Sequence, residues 1–182
     1  MFAKRILMHV GLAIGLVTTA VAPGARADDK PRGEKMAITD KPLTIKVEPD
    51  DALRTGLTDA VKPKSKTTIR LTLTGVVPPA QRDQVEGVRV FLNKEDATRE
   101  TSIEDPHYVT AFVFAPTTKR DAQEFNLDLT RAVGELGRRG ELDPAKPLRV
   151  TLVAVPAQGV KQLPVDISVP VGGASVRAEP AK

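Results

Sequence analysis

Apolar and polar residues alternate with a period of two along most of this chain, and this pattern predicts β-strands with one buried face. In LTIKVE, for example, Leu43, Ile45 and Val47 share one face. Five further segments alternate in the same way, with inward positions at Ile69, Leu71 and Leu73; Val88, Val90 and Leu92; Phe125, Leu127 and Leu129; Leu148, Val150 and Leu152; and Val165, Ile167 and Val169. Six such strands, separated by turns rich in Pro and Gly, favour an all-β, antiparallel β-sandwich.

A seventh segment, YVTAFVFA in residues 108–115, is apolar on both faces. Regular alternation places Tyr108, Thr110, Phe112 and Phe114 on one side. A strand without a polar face is typical of a position that is covered on both sides. We therefore predict that this strand lies centrally in a sandwich of about seven to eight strands.

Two short helices are predicted between the strands, in residues 50–61 and 130–140. Each spaces its apolar residues to form one buried stripe, with Leu53, Leu57 and Ala60 in the first and Val133 and Leu136 in the second. Thr130 is placed to cap the second helix, and its last residues, Arg138 to Gly140, suit a helix C-terminus.

The first 27 residues have the order of a secretory signal peptide. Lys4 and Arg5 precede an apolar run, and Ala25–Ala27 fits a small-x-small cleavage site. The alternative is a retained membrane anchor, but the run of about 17 residues is at the short limit for a bilayer span. We expect an exported protein, periplasmic or secreted.

The rest of the chain is expected to divide into three parts. Residues 28–42 are polar and aperiodic, which predicts a flexible leader. The β-sandwich domain spans residues 43–171, and residues 172–182 are predicted to form a disordered tail. Cleavage removes three of the 27 basic residues and none of the 23 acidic ones, which leaves a net charge of +1. A nearly neutral protein without long blocks of one charge lacks the signature of a nucleic-acid binder.

The chemistry available to the chain is narrow. It contains no cysteine and two histidines, of which only His107 lies outside the predicted signal peptide. A thiol nucleophile is therefore excluded, and so is a copper or zinc site built from several imidazoles of this chain. We predict no catalytic residue, no metal site and no cofactor, and hence a protein that is not an enzyme.

The stretch EDPHYVTAFVFAP is the place where chemistry would be sought, since it holds His107 beside Tyr108, the single tyrosine. One interpretation is a donated ligand or a gating side chain. The other is a turn histidine beside a tyrosine that is anchored by its hydroxyl. Catalysis needs partner residues that the sequence does not supply, which favours the structural interpretation.

The order of several motifs across residues 67–171 resembles the C-terminal β-domain of bacterial and plant tyrosinases and polyphenol oxidases. The V-x-V-F-x-N motif of the "KFDV" region is matched at Val88–Asn93, and HY-x-x-x-F-x-F at His107–Phe114. F-x-L-D-x-T is matched at Phe125–Thr130, and L-x-V-T-L-V-x-V-P at Leu148–Pro156.

The resemblance implies a cap without its enzyme. In the family this domain follows a helical core whose six histidines hold two copper ions, and it covers the entrance to the copper site, where a side chain can plug the substrate path. Here a signal peptide stands directly before the β-domain, which implies a free-standing partner of a separately encoded tyrosinase-like copper oxidase, shielding its site or aiding its maturation. His107, Tyr108 and Phe112 are the candidate docking or plug residues.

The alternative hypothesis is a general periplasmic binding sandwich for glycans or envelope proteins. Sugar sites commonly use exposed aromatic rings, and the chain has only five phenylalanines and one tyrosine. An enzyme in its own right is a third hypothesis, which the single histidine disfavours.

Overall fold

A computed structural model describes residues 36–114 and 120–180 of the chain, and these residues form nine strands and two α-helices. The strands are β1 (Met36–Ile38), β2 (Leu43–Val47), β3 (Thr67–Val76), β4 (Val85–Leu92), β5 (Tyr108–Phe112), β6 (Gln123–Asp128), β7 (Leu148–Pro156), β8 (Val169–Val171) and β9 (Gly173–Pro180). The helices are α1 (Asp51–Ala60) and α2 (Thr130–Arg138). The predicted signal peptide lies outside the described residues.

All strand pairs are antiparallel, and they form two main sheets. One sheet has four strands in the order β2-β7-β4-β5, and the other has three in the order β6-β3-β9. β1 and β8 form a separate two-stranded ribbon. The inward residues of both sheets are buried in one apolar cluster, in which Leu71 and Val90 are fully buried. The predicted all-β sandwich with two short helices is confirmed.

Helix α1 forms where the sequence predicts it. The Asp50 side chain caps it, because its Oδ1 accepts a hydrogen bond of 2.8 Å from the Leu53 amide. Gly56 weakens the helix but permits its packing, since a Cβ at this position would collide with the side chain of Ala178 in β9. The helix thus approaches the sheet more closely than a larger residue would allow.

The predicted cap of α2 is wrong. The helix begins at Thr130 itself, and Leu129 occupies the cap position without a side-chain hydrogen bond. The Thr130 hydroxyl instead accepts a hydrogen bond of 2.9 Å from the Ile69 amide in β3. The residue therefore ties the helix start to the sheet, a long-range contact that the local sequence pattern does not reveal.

The predicted leader and tail are both shorter than expected, because each contains a strand. Residues 173–180 form β9, which pairs with β3 from Thr67↔Pro180 to Thr74↔Gly173. Residues 36–38 form β1, where Ile38 is fully buried against the core. Neither segment has a strong apolar alternation of its own, and each is held by hydrogen bonds to a strand distant in sequence.

The last predicted strand is also shorter than its alternation suggests. β8 begins only at Val169, and Val165 is 90% exposed in the turn before it. Ile167 is buried as expected, but from a turn.

Strand β5 lies at an edge of the four-stranded sheet, and the predicted central position is wrong. It pairs only with β4. The pairing shifts register between Val90 and Phe91, so that Val109 is an extra residue, a β-bulge. Both faces of β5 are apolar because one contacts the core and the other a loop segment and a surface groove.

No helix within residues 36–114 and 120–180 is long and apolar enough to cross a bilayer.

Candidate functional site

The outer face of the three-stranded sheet is polar. Arg70 on β3 forms an ion pair with Glu179 on β9, with Nε and Oε2 3.3 Å apart. Beside it, the Thr72 hydroxyl donates a hydrogen bond of 2.8 Å to Oδ1 of Asn126 on β6. Such a face is satisfied by its own side chains and by water, and it offers no apolar surface to a partner.

The outer face of the four-stranded sheet is apolar and partly covered. Residues 93–107, which we call the strap, run from β4 to β5 across this face. Phe91 and Ala97 are fully buried under or within the strap, and Val153 is 4% exposed. The Tyr108 ring packs edge-on against Phe91 with centroids 5.6 Å apart. The strap thus closes a second, smaller core on the outside of the sandwich.

Two polar residues of the sheet hold the strap in place. Arg89 projects from β4, and its Nη1 donates hydrogen bonds to the carbonyl oxygens of Arg99 at 3.0 Å and Thr101 at 3.3 Å. Asn93 adopts a positive φ of 54°, and its Oδ1 accepts from the Arg149 amide at 2.9 Å. The strap is therefore an ordered structure.

His107 links the end of the strap to two other elements. Its Nδ1 is 2.8 Å from the carbonyl oxygen of Leu92, and its Nε2 is 3.3 Å from Oε2 of Glu141, beyond α2. Both partners are acceptors, so the ring donates to both only when each nitrogen carries a proton. With both nitrogens engaged in this way, His107 serves as a structural clip, which agrees with the structural interpretation of the sequence.

The predicted common face of Tyr108 and Phe112 is wrong, because the bulge at Val109 separates them. Tyr108 turns outward to the strap, whereas Phe112 turns inward and is 6% exposed. Phe112 packs against Phe125 with ring centroids 4.1 Å apart and against Phe114 at 6.0 Å.

Tyr108 is held by its ring and backbone. Its carbonyl oxygen accepts a hydrogen bond of 3.1 Å from Nη2 of Arg131, and no hydrogen bond joins its hydroxyl to another described residue. The three predicted residues, His107, Tyr108 and Phe112, therefore do not form one surface. Whether any of them touches a partner stays a prediction.

Three large apolar side chains within the described residues are exposed, and all three flank the strap. Ile103 is 57% exposed, Val113 64% and Val165 90%. Ile103 and Val113 line a groove of about 210 Å³ with Val155. Val165 lines a groove of about 350 Å³ that also contacts strap residues Thr98 to Glu100. We call Ile103, Val113 and Val165 the apolar rim.

Sequence reasoning missed the rim. Val113 and Val165 fall within segments that were predicted to be buried strands, and Ile103 is a single apolar residue among polar ones. Their exposure depends on where the strands end and on which strand lies at the edge, and neither is encoded in the local alternation.

A cluster of charges borders the strap on the side of α2. Glu135 forms ion pairs with Arg139 (Oε1 to Nε, 2.9 Å) and Arg138 (Oε2 to Nη2, 2.6 Å). The hydrogen bond from Arg139 and the charge of Arg138 hold the pKa of the Glu135 carboxyl below its ordinary value. Across the intervening hollow lie Glu104 and Asp105. The two signs balance, so the cluster does not form an anion site.

Within residues 36–114 and 120–180, no three histidine, aspartate or glutamate side chains approach one another closely enough to hold a metal ion.

No family model and no curated protein matches the chain. Among solved structures, latent apple tyrosinase is similar, with 16% identity and a TM-score of 0.51 over 80% of this chain and 27% of that one. Two structures of latent aurone synthase, a polyphenol oxidase, one from the natural source and one recombinant, have 15% and 16% identity and TM-scores of 0.48 and 0.49. They cover 80% of this chain and 26% and 25% of theirs.

The chain therefore spans about a quarter of the length of these structures, which is the size of one domain. The expected resemblance to part of a tyrosinase-type polyphenol oxidase is confirmed at the level of the fold. This matched share is consistent with the C-terminal domain.

Proposed function

We propose that this chain is an exported, non-catalytic partner of a tyrosinase-like copper oxidase, and that it contacts the oxidase through the apolar rim. The fold likeness to part of latent apple tyrosinase supports the choice of partner. Export rests on the sequence of residues 1–27 alone.

The position of the exposed apolar residues carries this proposal. Ile103, Val113 and Val165 flank one strap on one face of the sandwich, while the opposite outer face is polar. Exposed apolar groups that share one surface are typical of a site that a partner covers. Each Å² of apolar surface removed from water contributes about 25 cal/mol, so the rim favours association.

The mechanism is steric. A sandwich that lies with its strap over the opening of a copper site keeps phenols out, or holds the opening in shape while copper is loaded. The rim and the strap form the contact. Phe112 does not act as a plug, because it would first have to leave the aromatic cluster in the core.

The test uses the purified chain and a tyrosinase-like core that lacks its own β-domain. We expect co-elution in size-exclusion chromatography and a change in phenol oxidation or in copper loading. Val165→Asp places a charge on the rim, and we expect the complex to weaken at least about tenfold, equivalent to 1.4 kcal/mol.

Thr74→Asp is the matched control, since Thr74 is an exposed residue on β3 in the other sheet. It adds the same charge away from the rim and should leave the complex intact. The absence of a complex, together with unchanged activity and copper loading, would contradict the proposal.

The alternative of a glycan-binding sandwich finds little support in the described residues. Their aromatic side chains pack in the core or beside the strap, and none is fully exposed. A stacking platform for sugars is therefore not presented. Binding to glycan arrays without binding to the oxidase core would reverse this preference.

A further inference from the structure

Strand β5 differs from the other edge strands of the two main sheets. An edge strand presents unpaired backbone groups, and proteins commonly protect it with charged side chains or proline. The other three edges have this protection, from Lys46 in β2, from Glu124 and Asp128 in β6, and from Arg177, Glu179 and Pro180 in β9. β5, with the sequence YVTAF, has neither a charged residue nor a proline.

The surface beside this edge is apolar. Ala111 is exposed on β5, and Val113 follows at 64% exposure, next to Ile103 across the groove. The bulge lies at Val109, near the start of the strand, so that Thr110 to Phe112 keep a regular pairing geometry with β4. A regular, uncharged edge bordered by apolar side chains is suited to the addition of another strand.

We infer that β5 pairs antiparallel with β5 of a second copy of this chain, about a twofold axis near Ala111. This contact joins the two four-stranded sheets into one continuous sheet of eight strands. The interface is isologous, because the same residues of each copy meet. The inference does not rest on the proposed function.

Charge complementarity favours a second copy as the occupant. Arg131 lies at the start of β5, where its Nη2 contacts the Tyr108 carbonyl oxygen. Glu86 is exposed and lines the groove at the other end, beside Val113. An antiparallel pair places Arg131 of each copy near the partner's Glu86, twice across the axis, whereas a parallel pair would bring like charges together.

The contact is small, which sets its expected strength. The strand has five residues, and stable interfaces commonly bury about 1,600 Å² in total. We therefore expect a reversible dimer with a Kd between about one micromolar and about one millimolar.

Sedimentation velocity of the full chain over this concentration range tests the inference. We expect a concentration-dependent shift from monomer to dimer. Ala111→Lys brings two like charges together at the axis and should raise the Kd at least about tenfold. Thr74→Lys, on the other sheet, should leave it unchanged. A chain that stays monomeric throughout, or a dimer that Ala111→Lys does not weaken, overturns the inference.

A charge reversal tests the antiparallel arrangement. Glu86→Arg and Arg131→Glu should each weaken the dimer, and the double variant should restore it, because each pair then has opposite signs again. Circular dichroism checks that all three variants are folded. Two weakened single variants and a folded double variant that stays monomeric would overturn the antiparallel pairing.

Discussion

Individual side chains of the HY-x-x-x-F-x-F motif have separate tasks, although they lie within eight residues. His107 clips the strap to Leu92 and Glu141, Tyr108 covers Phe91, and Phe112 belongs to the inner aromatic cluster. One extra residue, Val109, causes this division, because it turns the side chains before and after it to opposite faces of the sheet.

The first prediction at this scale compares the two rings. Phe112→Ala should lower the free energy of unfolding by about 3–5 kcal/mol, since it leaves a cavity among packed rings. Tyr108→Phe should change it by less than about 0.5 kcal/mol, because the hydroxyl has no hydrogen-bond partner among the described residues. Urea denaturation of both variants measures the difference, and equal losses would contradict the separate environments.

At the scale of elements, α2 shows how local and long-range signals combine. Its buried stripe, Ala132, Val133 and Leu136, follows from the spacing of apolar residues, and two of these three were predicted. The contact that starts the helix, from the Thr130 hydroxyl to the Ile69 amide, joins residues 61 positions apart. A sequence window that covers only the helix cannot reveal it.

The ion pairs at the end of α2 predict a pH dependence. Glu135 has a lowered pKa in the folded chain, so its stabilising contribution is present above the ordinary value of 4.5 and is lost as the pH falls through the lowered folded value. We expect Glu135→Gln to be less stable than the parent chain at pH 7, and the difference to shrink towards pH 3 in thermal unfolding. A difference that stays constant over this range would argue against the ion pairs.

At the scale of the whole molecule, the three-stranded sheet is completed by the segment with the weakest sequence signal. β9 pairs with β3 over eight successive residues and places Val176 in the core. Without it, one side of β3 and part of the surface under α1 would meet water. The end of the domain is therefore as much part of the fold as its regular strands.

This arrangement predicts the effect of truncation. A chain that ends at Gly172 should lose most of the 5–15 kcal/mol typical of a domain and fail to unfold cooperatively. A chain that ends at Pro180 keeps β9 and should melt like the parent chain. Differential scanning calorimetry compares them, and two similar melting curves would mean that β9 is dispensable.

Predictability differed between elements for a physical reason. The inward faces of β2, β3 and β7 and the position of α1 were predicted correctly, because a side-chain period and an Asp cap are local properties. β1 and β9 were missed because their stability comes from pairing with distant strands. The rim was missed because an apolar residue has the same pattern whether a loop, a partner or the core covers it.

The sequence by itself determined which residues of the strands face inward and that the chain has no thiol and only one histidine beyond its first nine residues. Those properties are local or compositional, so no tertiary contact changes them. Tertiary structure alone decided that β5 is an edge strand, that a bulge separates Tyr108 from Phe112, and that the strap leaves Ile103, Val113 and Val165 exposed. Each of these depends on which segments meet, and that choice is made by the packing of the whole chain.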